Sequence, residues 1–392
     1  MRNFFIPEIS DGVFAVGARD HNRRLFDAFI PLPRGTSFNS YFIKGNDKTA
    51  LIDTVGPGFE SEFLEKLRQL TNLSGLDYLV MNHAEPDHGS AIPHILRESQ
   101  AKLVTSEKGG VMAARFYGVS PERIKTVKGG EYLELGGRTL NFVDVPWIHW
   151  LETMATYLSE SRILFSCDFF GAHSAAGVYA DDVENLISLA KGYFGEIMMP
   201  LRVFARKALE KFEALDIETI APSHGPVHRD TTMIGHYRRW IAGETSPKAI
   251  MIYASMWGNT ERMIEAVSDE LAASGVDVRR HNLAEMQLDL LVEDLVDSRA
   301  IVIGASTVLS SLHPTVAYAM NLVKMLKPPT KYGAIFNSYG WGKGAAKQAA
   351  EFFESAKIEN VGALEVNGPP SDEDYRAAQE LSRALATKIL AG

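Results

Sequence analysis

The sequence predicts a two-domain chain of mixed α/β and α+β class, and three observations carry that prediction. Its 392 residues exceed what one ordinary hydrophobic core serves. After Gly243-Glu244-Thr245-Ser246-Pro247, a turn-forming stretch that reads as a linker, strand and helix patterns alternate regularly, as in a doubly wound parallel sheet. Before that stretch, short apolar runs end repeatedly in histidines and carboxylates, which independent hydrophobic packing would not place there. The division therefore falls into residues 1–246 and 247–392.

In the first part, Ala50-Leu51-Ile52-Asp53 is a short strand stopped by Gly56-Pro57-Gly58. A helix follows with Phe59, Phe63, Leu67 and Leu70 near one face. Tyr78–Met81, Ala101–Thr105, Leu140–Val145, Ile163–Cys167 and Thr219–Ala221 read as further strands. In the second part, strands at Ala249–Tyr253, Ala300–Gly304, Tyr332–Phe336 and Gly362–Val366 alternate with four helices. These are one carrying Met263, Ile264, Val267 and Leu271, one near Thr315–Leu326, one over Ala345–Ala356, and one from Asp372 to Leu390.

Composition narrows function. A formal charge of −9 argues against a general nucleic-acid or membrane-surface binder. The one cysteine, Cys167, forbids an intrachain disulfide and a thiolate-ligated iron centre within this polypeptide. Met1–Glu8 carries no apolar leader pattern. The longest uncharged run, Ala300 to Val323, holds Ser306, Thr307, Ser310, Ser311, His313 and Pro314, and reads as strand then loop rather than as a span. These features predict a cytoplasmic protein in a reducing compartment.

The most informative stretch is His83-Ala-Glu85-Pro-Asp87-His88, directly after a buried strand. Burying so many polar groups without a cation would be costly. Alternation lets His83, Glu85 and Asp87 project from one side of an extended segment. His149, Asp168 and His224 follow other strands, and a carboxylate such as Asp168 could bridge two cations. Hard oxygen donors beside imidazoles favour iron or manganese over zinc. His94, His173, His228, His236, His281 and His313 read as structural histidines, and His21 is a marginal pocket residue. Strand alternation points Cys167 away from Asp168, into the core.

The second part carries three loops at strand ends. Ser255-Met256-Trp257-Gly258-Asn259-Thr260 opens a helix, where amides and dipole favour a phosphate. Ser306-Thr307-Val308-Leu309-Ser310-Ser311 and Asn337-Ser338-Tyr339-Gly340-Trp341-Gly342 lie on the same sheet edge. Neither a Gly-x-Gly-x-x-Gly nor a Walker pattern is present.

Taken together, these motifs resemble the flavodiiron proteins over nearly the whole chain. The resemblance implies a metallo-β-lactamase-like αββα sandwich followed by a flavodoxin-like domain. Hydrolases of the first fold carry His-x-His-x-Asp-His, and here Glu85 stands in place of the second imidazole. The resemblance implies two non-haem irons, one held by His83, Glu85 and His149, the other by Asp87 and His224, with Asp168 bridging. His88 is a ligand in some members and supports one in others. Where the family commonly has His-Trp-Pro-Asp before a Met, this chain has His149-Trp150-Leu151-Glu152-Thr153-Met154; Glu152 can still accept a hydrogen bond, but the loop loses its proline.

The three loops resemble an FMN site, with Tyr339 or Trp341 beside the flavin. The implied reaction is reduction of dioxygen to water or of nitric oxide to nitrous oxide, the choice depending on groups such as Tyr193, Phe170 and His21. The resemblance also implies a separate rubredoxin as electron donor, or coenzyme F420, and a head-to-tail homodimer or dimer of dimers. Two other readings compete: a metal-dependent hydrolase with an attached flavodoxin-like domain, and an FMN electron carrier with a structural N-terminal domain.

Overall fold

A computed structural model describes residues 4–285 and 287–392, so the first three residues of the N-terminal stretch lie outside them. The chain divides into two compact units, one ending at Ile241 and the other spanning Ala242–Gly392. The break precedes the 246/247 boundary read from sequence, because Ser246 and Pro247 already belong to the strand Ser246–Ala254. Pro247 has no N–H to give, and the strand's register shifts between Ser246 and Ala249.

The N-terminal unit is built on two sheets. The first has seven strands in the order Glu8–Ser10, Val13–Ala15, Tyr41–Lys44, Thr49–Ile52, Tyr78–Val80, Lys102–Ser106, Ile124–Val127. Period-two alternation sorts its side chains. Phe42, Leu51, Leu79 and Leu103 pack on the helix side with Phe63, Leu64 and Leu67 of Glu60–Leu70, Ile92 and Ile95 of Ile92–Glu98, and Ala113 of Glu107–Tyr117. Tyr41, Ile43, Ala50, Ile52, Val80 and Val104 turn the other way. They meet Leu140, Phe142, Met154, Leu158, Ile163 and Phe165 of a five-stranded sheet, Tyr132–Glu134, Thr139–Asp144, Met154–Leu158, Ile163–Phe165, Thr219–Ile220. Beyond that sheet, helices Arg202–Glu213 and Thr232–Ala242 bring Phe212 and Tyr237 against Phe169 and Phe170, with ring centroids 4.8–6.0 Å apart. The result is the helix–sheet–sheet–helix sandwich.

Several strands here have no counterpart in the sequence reading. Glu8–Ser10 and Val13–Ala15 are three residues each, too short to display a period. Met154–Leu158 is buried on both faces, Thr156 included, so no polar alternation marks it.

The C-terminal unit is one parallel sheet in the order Asp277–Asn282, Ser246–Ala254, Ser298–Ser306, Tyr332–Tyr339, Glu359–Asn367. That is the flavodoxin-like 2-1-3-4-5 order, whose ligand crevice opens at the strands' carboxyl ends. Ala249, Met251 and Tyr253 pack beneath helices Asn259–Ala273 and Asp372–Ala391. The charged edge strand Asp277–Asn282 and helix Leu288–Leu295 are not evident in the sequence pattern. Ala300–Val323 resolves into the end of a buried strand, a turn and part of helix Pro314–Leu326. Among the described residues, no helix is long and apolar enough to cross a membrane.

Packing is tight where helix Ala345–Ala356 crosses the sheet: a Cβ at Gly333 would lie 2.3 Å from Cζ of the buried Phe353. Gly333→Ala is therefore expected to cost about 1–3 kcal/mol of C-terminal-unit stability through overpacking. Adding Phe353→Leu should recover part of the loss in calorimetry, and strictly additive losses would show that the two sites do not meet.

Candidate metal centre and phosphate-loop cleft

The strand Tyr78–Val80 delivers the chain to His83, but the segment beyond is not extended as the alternation suggests. Pro86 occupies the first position of a helical turn, Pro86–Gly89, where its fixed φ suits a helix start. Glu85 precedes it in extended conformation, at φ −66° and ψ 145°. The turn separates the residues into two groups. His83 and Glu85 join His149, whereas Asp87 and His88 join His224. Gly89 ends the turn against Tyr117, whose Oη would lie 2.2 Å from an added Cβ and which donates a hydrogen bond to Ala84 O.

Asp168 lies between the groups, buried at 1% exposure. Its Oδ2 is 3.6 Å from His83 Nε2 and 3.6 Å from His149 Nε2. Its Oδ1 is 3.2 Å from His88 Nε2 and 3.3 Å from His224 Nε2. Glu85 Oε2 is 3.0 Å from His149 Nε2 and 3.2 Å from His83 Nε2. Asp87 Oδ2 is 3.3 Å from His224 Nε2. All seven residues singled out by sequence thus converge on one volume, with the two oxygens of Asp168 facing opposite imidazole pairs.

The groups behind them fix ring orientation. His83 Nδ1 donates to Glu152 Oε1 at 2.7 Å, and Ala84 N donates to the same oxygen at 2.9 Å. His224 Nδ1 donates to the Ser37 carbonyl at 2.7 Å. Both arrangements leave Nε2 facing the centre, as metal ligation requires. Glu152 thus accepts the hydrogen bond expected of it, although the loop lacks a proline. Tyr193 Oη donates to Asp168 Oδ1 at 3.2 Å, from the end of helix Leu186–Tyr193, where a π-helical turn, Phe194–Met198, begins.

The donor set fits a pair of cations. His88 Nε2 and Asp87 Oδ1 are buried without a hydrogen-bond partner; the 3.2 Å approach of His88 to Asp168 is close but not aligned for one. Three carboxylates and four imidazoles form a mixed oxygen–nitrogen set of the kind that suits iron or manganese. Without cations the imidazoles carry the balancing charge. Burial pulls the His83 pKa down, but Glu152, Glu85 and Asp168 outweigh it and raise it to about 9. His88 and His224 are raised in the same way, against burial, chiefly by Asp168 and Asp87. Asp168 is held well below the usual carboxylate range, its burial overcome by His88, His224 and His83.

Other expectations need correction. Phe170 packs among Phe169, Phe212 and Tyr237, so it belongs to the aromatic core. His21 is exposed and lines a separate cavity. Cys167 has φ +54°, so it sits in a turn where strand alternation no longer applies. Its buried Sγ is 3.8 Å from Asp168 Oδ2 and groups with Asp53 and His88. His173, read as structural, is hydrogen-bonded to Thr36 Oγ1 at 3.0 Å, yet its ring also lies 4.8 Å from Tyr193 and 5.8 Å from His224. Burial and neighbouring His224 lower its pKa to about 3, so it is neutral. Asp53 accepts from Asn82 N at 2.8 Å and has its pKa raised to about 6 by burial. It ends the apolar run Ala50–Ile52 as the candidate ligands end theirs, but the sequence reading takes it only as the end of a strand.

In the C-terminal unit the three loops meet. Thr260 Oγ1 is 3.1 Å from Ser306 Oγ and 2.8 Å from Ser338 Oγ, linking one residue from each loop. A cleft of about 130 Å³ is lined by Met256, Trp257, Asn259, Ser306, Thr307, Ser338, Tyr339, Gly340 and, unforeseen, Gly368. Ser255 and Gly258 do not line it but set the loop's course: Ser255 Oγ accepts from Glu261 N, and Gly258 takes φ +80° before helix Asn259–Ala273. Asn337 lies behind, bonded to Thr307 Oγ1 at 2.9 Å. Val308 and Ser311 close a tight turn over Leu309 and Ser310, which take φ +48° and +60°. An added Cβ at Gly342 would lie 2.6 Å from Ser310 Oγ, so the glycine lets the loops touch. Trp257, Leu309 and Trp341 are more than four-fifths or nearly so exposed, at 84%, 82% and 80%. Helix-start amides beside converging hydroxyls suit a phosphate monoester.

Residues 36–225 match the ODP family beta lactamase model and residues 251–380 the flavodoxin model. The chain is 35% identical to a nitric oxide reductase of Moorella thermoacetica over 97% of this chain and 98% of that protein. It superposes on rubredoxin oxygen:oxidoreductase from Desulfovibrio gigas with a TM-score of 0.95 at 27% identity, covering 99% of both chains. It superposes on the flavodiiron protein from Giardia intestinalis with a TM-score of 0.93 at 28% identity, covering 100% of this chain and 98% of that one.

The charge state of the metal-free centre sets a pH dependence. A histidine whose folded pKa lies above its unfolded value of roughly 6.5 stabilises the fold fully below that value, and the contribution is lost as pH rises through the folded pKa. With His83 raised to about 9, metal-free protein should show a Tm that falls between pH ~6.5 and 9. Metal-loaded protein, its imidazoles already neutral, should lack that fall in calorimetry. A flat profile for metal-free protein would show that these imidazoles are not protonated.

Proposed function

The chain belongs to the flavodiiron protein family, and from that membership we propose an oxidoreductase that passes electrons from an external donor through FMN to a non-haem di-iron site reducing dioxygen to water or nitric oxide to nitrous oxide. The observation that carries the reading is Asp168, whose two oxygens face separate imidazole pairs. His83, Glu85 and His149 would hold one iron, and Asp87, His88 and His224 the other, with Asp168 across both. Bound FMN and iron supply the electron transfer and the reduction of the small oxidant.

The protein's own groups do the rest. Glu152 and the Ser37 carbonyl keep His83 and His224 turned inward. Tyr193 places a hydroxyl against the bridging carboxylate. The Ser255–Thr260 loop would take the FMN phosphate, and the loops at Ser306–Ser310 and Asn337–Gly342 would flank the flavin.

A separate rubredoxin as donor is supported by the likeness to rubredoxin oxygen:oxidoreductase, with reduced coenzyme F420 the second arm of a donor assay. Exposed Trp257, Leu309 and Trp341 around the cleft support a head-to-tail homodimer, as exposed apolar patches mark interaction faces. Light scattering should report a dimer or a dimer of dimers, and a fully active monomer would contradict it. A reducing, cytoplasmic setting belongs to the same reading, given the single buried thiol.

Protein expressed with iron should carry about two iron per chain, whereas about two zinc and negligible iron would favour the hydrolase. After anaerobic reduction, separate pulses of dioxygen and nitric oxide should reoxidise the flavin, each gas giving its own rate. Asp168→Ala should lower that rate by at least about a hundredfold while FMN stays bound. An unchanged rate would leave an FMN electron carrier as the better reading.

A further inference from the structure

The N-terminal unit contains a cavity of about 600 Å³ that neither the metal centre nor the phosphate loops use. That volume falls within the range of small-molecule sites. It lies among strand Ala18–Asp20, helix Glu60–Leu70 and the Gly177–Asp182 segment. Its character is set by one cation and one apolar wall. Lys66 is already engaged, with Nζ 2.7 Å from Glu62 and 2.7 Å from the Gly17 carbonyl. Asp182 is likewise satisfied, accepting from Val178 N and Tyr179 N. Arg19 differs: it is exposed at the mouth, and among the described residues its guanidinium has no hydrogen-bonded or ion-paired partner, only the longer-range field of Asp182. Phe4, Phe5, Pro7 and Val178 also line it, with Lys66 Nζ 5.6 Å from the Phe4 ring centroid and Phe5 85% exposed.

We propose that this cavity is a binding site for a small, flat organic anion, its carboxylate or phosphate paired with Arg19 and its body laid on the Phe4–Phe5–Pro7 wall. A guanidinium without a partner matches a planar, two-oxygen anion, and an aromatic wall matches a flat body.

The inner wall gives the site a route to the metal centre, a part of the proposal that rests on the di-iron reading. Asn39, Tyr41 and Gly225 line it. Asn39 Nδ2 donates to the carbonyls of Pro222 and Gly225 at 2.8 and 2.7 Å, and Tyr41 Oη donates to Pro222 O at 2.8 Å. These bonds clamp the turn that carries His224. Gly225 takes φ +81°, and an added Cβ would meet Ala172 O at 2.7 Å, so that turn has little freedom of its own. A ligand seated against the clamp and a cation on His224 should therefore influence each other reciprocally.

The experiment is calorimetric titration of FMN- and iron-loaded protein with 2-naphthoate, and with 2-naphthalenemethanol as its uncharged counterpart. Saturable binding of 2-naphthoate is expected, with the alcohol at least tenfold weaker. Arg19→Gln should abolish that difference, and Val178→Trp, which fills the cavity from a loop, should abolish binding of both. No saturable binding, or binding unaffected by both substitutions, overturns the site. Naphthoate affinity should also differ between iron-loaded and chelator-stripped protein, and equal affinities overturn the coupling. Failure of the di-iron reading shows separately, as absence of iron with naphthoate binding intact.

Discussion

The N-terminal unit is organised around one buried carboxylate that no hydrophobic core would tolerate alone. Asp168 sits at 1% exposure with four imidazoles around its two oxygens. An isolated carboxylate there would take up a proton, since removing its charge from water costs several kcal/mol. Here the surrounding histidines hold it ionised. Protons on these imidazoles, or metal cations in their place, balance that charge. The site is thus a compensated charge cluster before it is anything else, and its chemistry follows from which cation does the compensating.

The fold serves that cluster by bringing chain ends together at one rim of a sandwich. His83, His149, Asp168 and His224 all lie just past strands of the two packed sheets, whose facing sides share a largely apolar core. Rigid strands deliver the side chains, and short irregular turns aim them. The aim is set by a further layer of polar contacts, in which Glu152, Ser37 and Tyr193 each touch one member of the cluster. In the C-terminal unit the same division of labour recurs: parallel strands present three loops, and buried Thr260 ties them together.

Much of this was legible in the sequence, for identifiable reasons. His83, Glu85, Asp87, His88, His149, Asp168 and His224 were all visible because polar residues at the ends of apolar runs violate ordinary core patterning. The βα repeats of the second unit were visible because buried parallel strands read as continuous apolar runs. What stayed hidden depended on turns and on distant partners. The partition of Asp87 away from His83 and Glu85, implied by the resemblance but not by strand alternation, has its physical cause in the helical turn begun by Pro86. Cys167 was misdirected by applying strand alternation one residue too far, into a left-handed turn. Asp53 carries the same mark as the ligands, a carboxylate ending an apolar run, yet the sequence reading passes over it, whereas His173 owes its place to neighbours far along the chain that local pattern could not supply.

The π-helical turn Phe194–Met198 has a consequence for how this chain can change over time. A π-turn is in effect one residue more than an α-helix needs, and such turns recur at functional sites. Tyr193, at its start, reaches Asp168, and Glu196, within it, lies 3.3 Å from His173 Nε2. Loss of one residue there would let the segment relax to an ordinary helix and rotate one flank by roughly 100° relative to the other. A single-codon deletion could therefore disconnect the helix from Asp168 without touching any residue of the His/Asp/Glu cluster, whereas point substitutions elsewhere on its surface would leave that registration intact.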